Sequence, residues 1–320
     1  MHTRFTNLIG TLVRKVAHRV IKRFYPRIQI TGAERIPKTG PVLFCANHPN
    51  SLVDPILIGI AARRPVSFMA KAPLFKTPLL GPIIKALGMV PAYRGRDDAR
   101  QVKKNSASLA LVAKGLKAGR AMGIFPEGVS SDARQLGMVR SGAARIALEA
   151  FDNGVTDLVI IPLGINYDKK EQLGSKVWID VGQPLDLASW IPEHSQDNEE
   201  TIAPSDDKRL RRKLTEELGT ALKKVVVHVN NVDWDPLLTD LEIIFKRTKH
   251  KPSHHIPALM RRKRIADGIN YYYEQNPATA DEIIGEVESY HRELRSAGLV
   301  IDDPILNRSR TYAIFTFLWQ

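Results

Sequence analysis

The sequence predicts an α/β fold, a largely parallel twisted sheet flanked by helices, with an amphipathic helix in front and a helical extension behind. Three observations lead there. Short apolar or β-branched runs alternate with helix-length stretches between residues 41 and 181, as in sheets whose parallel strands are joined by helical crossovers. The first 27 residues hold apolar positions at helical spacing, with seven Lys/Arg and no acid among them. Beyond residue 208 the periodicity is helical.

The first element is a basic amphipathic helix, assigned to residues 1–30. Phe5, Leu8, Ile9, Leu12, Val13, Val16, Val20, Ile21 and Phe24 form one stripe, and Arg4, Arg14, Lys15, Arg19, Lys22, Arg23 and Arg27 fill the remainder. Such a helix suits the interface of an anionic bilayer, with its stripe among acyl chains and its cations near the headgroups. The alternative is a stripe packed on the domain. The expectation is peripheral or monotopic attachment at the cytoplasmic face. No run reaches the roughly 18 apolar residues of a spanning helix, and no cleavage site of a signal peptide is evident. A single cysteine, Cys45, excludes an intramolecular disulfide and a Cys-based metal site.

Strands are expected at 41–46, 66–70, 89–93, 121–125, 158–163 and 177–181. Helices are expected at 55–63, near 78–87, at 98–118 and at 141–151. Residues 191–207, polar, acidic and aperiodic, read as a linker that closes a domain over 31–190. Residues 208–305 then form a helical region. Its first helix, 208–228, carries Leu210, Leu214, Leu218, Leu222 and Val225, a second covers 236–247, and the last stops at Gly298. Residues 306–320 are an apolar tail.

A net charge of +13 draws phosphate, whether in nucleic acid, anionic lipid or a small molecule. Four stretches narrow the choice. In "CANHPNSLVDPIL", 45–57, His48 and Asp54 each precede a proline, which disfavours the α region and excludes one helix through both. Pro55 suits a first helical turn, so Asp54 reads as the N-cap of the helix after it. A loop that folds the imidazole back onto this carboxylate would make a base with an orienter. A helix cap beside a loop histidine explains the same residues without chemistry. In "GMVPAYRGRDDAR", 88–100, Arg94 follows a strand where phosphate-binding groups stand. In "GIFPEGVSSDARQLGMVRSGAARIA", 123–147, Glu127 and Gly128 end a strand, with Ser130 and Arg140 downstream. A glycine there lets a ligand approach the backbone. "VIIPLGINY", 159–167, by itself reads as core.

In this order the four stretches resemble the blocks of the glycerolipid acyltransferase superfamily, PlsC-type enzymes with an N-H-x4-D block, a G-x-[IV]-x-[IV]-x-R block, F-P-E-G-[TS] and a [VI]-x-P-[VI] strand. The likeness spans about residues 30–190 and implies a glycerol-3-phosphate acyltransferase-like fold. Five residues, not four, separate His48 from Asp54, and Val129 stands where Thr is usual. Both departures resemble the glycerol-3-phosphate acyltransferase branch with H-x5-D-P spacing and F-P-E-G-x-S-x-D, matched here by Ser130 and Asp132. The resemblance implies acyl transfer from acyl-CoA or acyl carrier protein to glycerol 3-phosphate or 1-acylglycerol 3-phosphate in phospholipid biosynthesis. His48 would be the general base and Asp54 its orienter. Arg94 would anchor phosphate, Glu127, Gly128 and Ser130 would hold the acceptor, and Lys71 and Arg140 would meet phosphate or CoA. It implies no cofactor and no metal. The alternative is a membrane-associated acyltransferase-like protein that acts on another lysophospholipid or lacks activity. Nucleic acid, suggested by "RRK" at 211–213 and "RRKR" at 261–264, is not an expected partner, and His250, His254 and His255 read as a loop rather than a metal site.

Overall fold

Every residue of "VLFCA" is buried, because this strand lies at the centre of the sheet with helices on both faces. The structure, a computed structural model, describes residues 2–93, 104–128, 135–195, 203–247 and 257–299, with side chains described outside 2–7 and 244–247. It falls into two compact units, residues 1–226 and 227–320.

The first unit opens with α1 (His2–Phe24), β1 (Arg27–Thr31), β2 (Val42–Ala46), α2 (Asp54–Ala62), β3 (Val66–Lys71), α3 (Leu80–Ala86) and β4 (Val90–Ala92). It continues through α4 (Asn105–Lys117), β5 (Ala121–Ile124), α5 (Gly142–Asp152), β6 (Val159–Tyr167), β7 (Lys176–Val181), β8 (Leu185–Asp186), α6 (Leu187–His194) and α7 (Lys208–Val225). Among the described residues the sheet order is β1-β7-β6-β2-β5-β3-β4, with β8 on β6. The pairs from β6 through β2, β5 and β3 to β4 are parallel, whereas β7 runs antiparallel to β6. The largely parallel sheet expected from the alternating pattern is therefore present.

Successive side chains of a strand face opposite sides, and β2 divides its residues accordingly. Phe44 and Ala46 pack with Leu57, Ile58 and Ala61 of α2 and with Ile21 and Tyr25 near the end of α1. Leu43 and Cys45 pack with α4, α5, α6 and the first leucines of α7. Burial pushes the Cys45 thiol up to about 12, so it behaves as an inert apolar group.

Several boundaries differ from expectation. Strand β1 lies inside the segment assigned to the N-terminal helix, its short alternation of Ile28 and Ile30 pairing with β7. Helix α6 enters the expected linker, because Trp190 and Ile191 bury on the core beside Leu187. The first unit runs to Val226 rather than ending near 190, since Leu210, Leu214 and Leu218 of α7 fill the core on α5. The end of α7 is held on β6, where Asn166 Nδ2 donates to the Val225 carbonyl at 3.1 Å. A Cβ at Gly164 would stand 1.9 Å from that carbonyl oxygen, so only glycine admits the contact. Helix α4 begins at Asn105, and residues 98–103 of the expected helix lie outside the described residues.

Helix α1 packs one edge of its stripe on the domain and leaves another exposed. One edge docks: a Cβ at Gly10 would lie 2.5 Å from the Ala86 carbonyl oxygen, Arg14 donates to the Leu87 carbonyl at 3.0 Å, and Ile21 is buried. The row Leu8, Leu12, Val16 and Val20 remains 50–67% exposed. No helix among the described residues is long and apolar enough to cross a membrane.

The second unit contains α8 (Asp235–Arg247), α9 (Ala258–Gln275) and α10 (Pro277–Ser296), with Val229, Trp234, Leu238 and Ala266 at its core. The "RRKR" stretch lies in α9, where Arg262 is buried against Glu242 at 2.8 Å and Lys263 pairs with Asp267 at 2.8 Å. Two of its four cations are thus engaged in ion pairs within the second unit. The apolar tail and His250, His254 and His255 lie outside the described residues.

Candidate active site

Ligands of open α/β sheets gather at the carboxyl ends of the strands. Three adjacent strands deliver side chains to that edge here. β2 ends two residues before His48, β5 leads into Phe125 and Glu127, and β6 ends on Tyr167. The loop after β2 is clamped to β6 by Asn47, whose Nδ2 donates to the Ile165 carbonyl at 3.0 Å while its Oδ1 accepts the Ile165 N–H at 2.7 Å. The next residue is therefore fixed in space by its neighbour's side chain.

His48 is 9% exposed and Asp54 wholly buried. Their side chains meet, with Nδ1 2.9 Å from Asp54 Oδ2. The carboxylate does not cap α2 as its position before Pro55 suggested. The Asn50–Val53 turn feeds directly into the helix, and Asp54 is its first residue. Its Oδ2 accepts the Asn50 backbone N–H at 2.7 Å, and its Oδ1 accepts the Tyr167 hydroxyl at 2.6 Å. Burial pushes this carboxyl up, and the donors from His48, Tyr167 and Asn50 pull it back toward the ionised form. Burial and the Asp54 charge push the Tyr167 hydroxyl up, so it remains a donor. Against an ionised Asp54, which only accepts, Nδ1 is the donor of this bond, and Nε2 is the ring nitrogen not engaged by the carboxylate. The ring lies flat on Phe125, centroids 3.8 Å apart at 9°, and Phe68 continues the stack at 5.6 Å. A Cβ at Gly123 would collide with the Phe68 ring, so β5 needs glycine beneath the stack.

Glu127, expected to hold the acceptor, faces inward instead. It is 5% exposed; Oε1 accepts the His48 backbone N–H at 3.0 Å, and Oε2 accepts the Gly137 N–H at 2.8 Å. It braces the loop that carries His48. Gly128 adopts a left-handed φ of 73°, and the Arg140 guanidinium lies over it, with Nε 3.3 Å from where a Cβ would stand. Arg140 is exposed and adjoins the turn that braces His48, a suitable place for a phosphate anchor. Lys71 is exposed at the carboxyl end of β3, beyond β5 on the same sheet edge. Arg94 and Ser130 lie outside the described residues. Just before Arg94, Tyr93 is pinned at its N–H and its carbonyl by Asn105, at 2.9 and 2.6 Å. No group of three or more His, Cys, Asp or Glu fit to hold a metal ion occurs among the described residues.

Sequence reasoning thus anticipated the His48–Asp54 pair and missed Tyr167, the clamp by Asn47 and the stack on Phe125. Asn47 belonged to the quoted motif, and Tyr167 ended a stretch read only as core.

Residues 27–166 match the family model described as Acyltransferase. The chain is 25% identical over 179 residues to a 1-acyl-sn-glycerol-3-phosphate acyltransferase of Borreliella burgdorferi, covering 54% of the chain and 66% of that relative. It is 31% identical over 165 residues to a probable 1-acyl-sn-glycerol-3-phosphate acyltransferase of Mycoplasma pneumoniae, covering 50% and 59%. In both cases the match spans under two thirds of the relative's own length. Among solved structures, the PlsC 1-acyl-sn-glycerophosphate acyltransferase of Thermotoga maritima aligns with a TM-score of 0.43 at 21% identity, over 69% of this chain and 78% of that one.

Proposed function

We propose, from the premise that residues 27–166 are an acyltransferase domain of the PlsC-type superfamily, that the protein transfers an acyl group from a thioester to a lipid-precursor hydroxyl. The donor is acyl-CoA or acyl carrier protein, and the acceptor is 1-acylglycerol 3-phosphate or glycerol 3-phosphate. The observation that carries this reading is the buried His48–Asp54 pair at the carboxyl edge of the sheet, with Nε2 left for substrate. The names of the two bacterial relatives support a lysophosphatidate acceptor.

In this mechanism His48 Nε2 takes the proton of the acceptor hydroxyl as its oxygen attacks the thioester carbonyl. Asp54 stabilises the imidazolium. The tetrahedral adduct then breaks its C–S bond, the departing thiolate takes the proton from Nε2, and an ester and a free thiol leave. Arg140 meets the acceptor phosphate, with Arg94, Lys71 and Ser130 as further contacts. Glu127 and Asn47 keep the loop in place, since a displacement of about 1 Å at such a site costs about 100-fold. The test gives purified protein each labelled acceptor with acyl-CoA and with acyl carrier protein. Ester and thiol should appear in equal amounts with at least one pairing, and no transfer above a His48→Ala control sinks the reading.

The exposed apolar row of α1, with Lys15, Arg19, Lys22 and Arg23 exposed on the same helix, supports a reading in which this domain lies against an anionic membrane and draws its acceptor from it. Burying an apolar side chain contributes about 1.5–3 kcal/mol, and each cation near an anionic surface about 1 kcal/mol. Leu12→Glu with Val16→Glu should therefore weaken binding to phosphatidylglycerol vesicles at least tenfold in a flotation assay, with Tm unchanged. Unaltered binding rejects the membrane face. Deleting the helix would be a poorer test, because Gly10 and Ile21 belong to the packed edge.

A further inference from the structure

The two oxygens of Asp54 are held from different sides. Oδ2 serves His48 and the Asn50 N–H, both in its own loop, and Oδ1 accepts from Tyr167 at the end of β6. The phenol itself is held. Its ring lies 5.5 Å from that of Tyr25, which is 1% exposed and whose hydroxyl donates to the Lys170 carbonyl. Lys170 Nζ in turn donates to the Pro49 carbonyl at 3.2 Å, beside His48. A carboxylate gripped at one oxygen can turn about its Cβ–Cγ bond, and in a buried site it gains by taking up a proton. Gripped at both, it is held against turning, and each donor favours its ionised form.

We propose that Tyr167 is a positioning residue for the base: its hydroxyl holds Asp54 in the orientation and the ionised state that His48 needs, without touching substrate. This rests on the reading of His48 as the base. The mechanism there needs an imidazolium facing a charged partner at the moment the acceptor loses its proton, and Tyr167 secures that charge from the far side.

The pH dependence follows from the groups around the pair. These are Asp54, Tyr167 and Tyr25, with Glu127 on the His48 backbone, Lys170 at Pro49 and Glu171 near Tyr25. With His48 neutral and Asp54 ionised, the pair carries one negative charge; one added proton neutralises it. The Tyr167 hydroxyl stabilises the negative state more than the neutral one. Removing that hydroxyl therefore raises the pH at which the pair takes up its proton, wherever the proton resides.

The experiment compares wild type with Tyr167→Phe, which keeps the ring against Tyr25. The His48 imidazole is followed by nitrogen NMR on histidine-labelled full-length protein and identified by its absence in His48→Gln. The His48 midpoint should rise by roughly 0.5–1 pH unit. The acid limb of kcat should move with it, kcat should fall about tenfold, and KM for the acceptor should hold within twofold. An unmoved midpoint with kcat within twofold of wild type overturns the proposal and leaves Tyr167 a packing residue. A raised KM at unchanged kcat overturns it in favour of substrate contact. If wild type transfers nothing to any acceptor, the acyltransferase reading fails separately, and the midpoint alone decides the role of Tyr167. If Tyr167→Phe does not fold, 3-fluorotyrosine at position 167, a stronger donor, should lower the midpoint; no change overturns the proposal.

Discussion

His48→Ala is expected to lower kcat by about 10³-fold while leaving KM for the acceptor within about threefold, because a general base supplies roughly 10²–10⁴ in rate and acts only as the proton moves. The structure gives reasons to expect the loss to appear in kcat. Nδ1 is committed to Asp54 and one ring face to Phe125, so Nε2 is the ring nitrogen available to an incoming hydroxyl. In the proposed mechanism the acceptor phosphate falls to Arg140 and its neighbours, which the alanine leaves in place. The fold should survive, since Asp54 keeps the Asn50 and Tyr167 donors after the imidazole is gone. Steady-state kinetics with acceptor varied at saturating donor checks this. A loss confined to KM would make His48 a binding group and remove the base from the mechanism.

Glu127→Gln is expected to damage stability and rate together. Each carboxylate oxygen accepts a backbone N–H, from His48 at 3.0 Å and Gly137 at 2.8 Å. A glutamine offers one acceptor, and its amide NH2 would confront the other N–H, two donors meeting in a buried place. Hydrogen bonds to charged groups contribute about 1.5–3 kcal/mol, and an orphaned buried donor costs about 1–3 kcal/mol. A loss of about 2–4 kcal/mol follows, and a unit of this size loses about 2–4 °C of Tm for each kcal/mol. Thermal melting should therefore show a fall of about 5–15 °C, and kcat should drop at least about tenfold as the His48 loop shifts. Had Glu127 held the acceptor, as its position after a strand suggested, the same substitution would raise KM and spare Tm. The two outcomes separate by inspection of one melting curve and one saturation curve.

The strands most legible in the sequence were those buried on both faces, because a short continuous apolar run such as "VLFCA", bounded by Gly40-Pro41 and Asn47, has the length and flanks of a buried strand. β1 was hidden by its brevity and by Pro26, which separates it from the helix without marking a new element. α6 was hidden because Pro192 and the acidic text after it outweighed Trp190 and Ile191, whose partners on α5 and α7 are distant in sequence. At the site, His48 and Asp54 were legible because both belong to one loop, and local geometry under two prolines limits where they can go. Tyr167 and Glu127 were not legible in their roles. Tyr167 reaches Asp54 across 113 residues, and Glu127 reaches His48 across 79. Nothing in a single sequence says which strands become neighbours. The topology that places β2 between β5 and β6 decides it.

That central place of β2 also sets when the site can exist. Its register partners are Ala121 to Ile124 on one side and Val159 to Leu163 on the other, so it has neither neighbour when it is synthesised. At about 5–20 residues per second, the stretch from His48 to Tyr167 takes roughly 6–24 s to appear. Until residue 124 is made β2 has neither neighbour, and until residue 163 it has only β5, so this apolar strand stays partly unpaired while the chain grows. The grouping of His48, Asp54 and Tyr167 is therefore complete only once β2 lies between two strands made long after it.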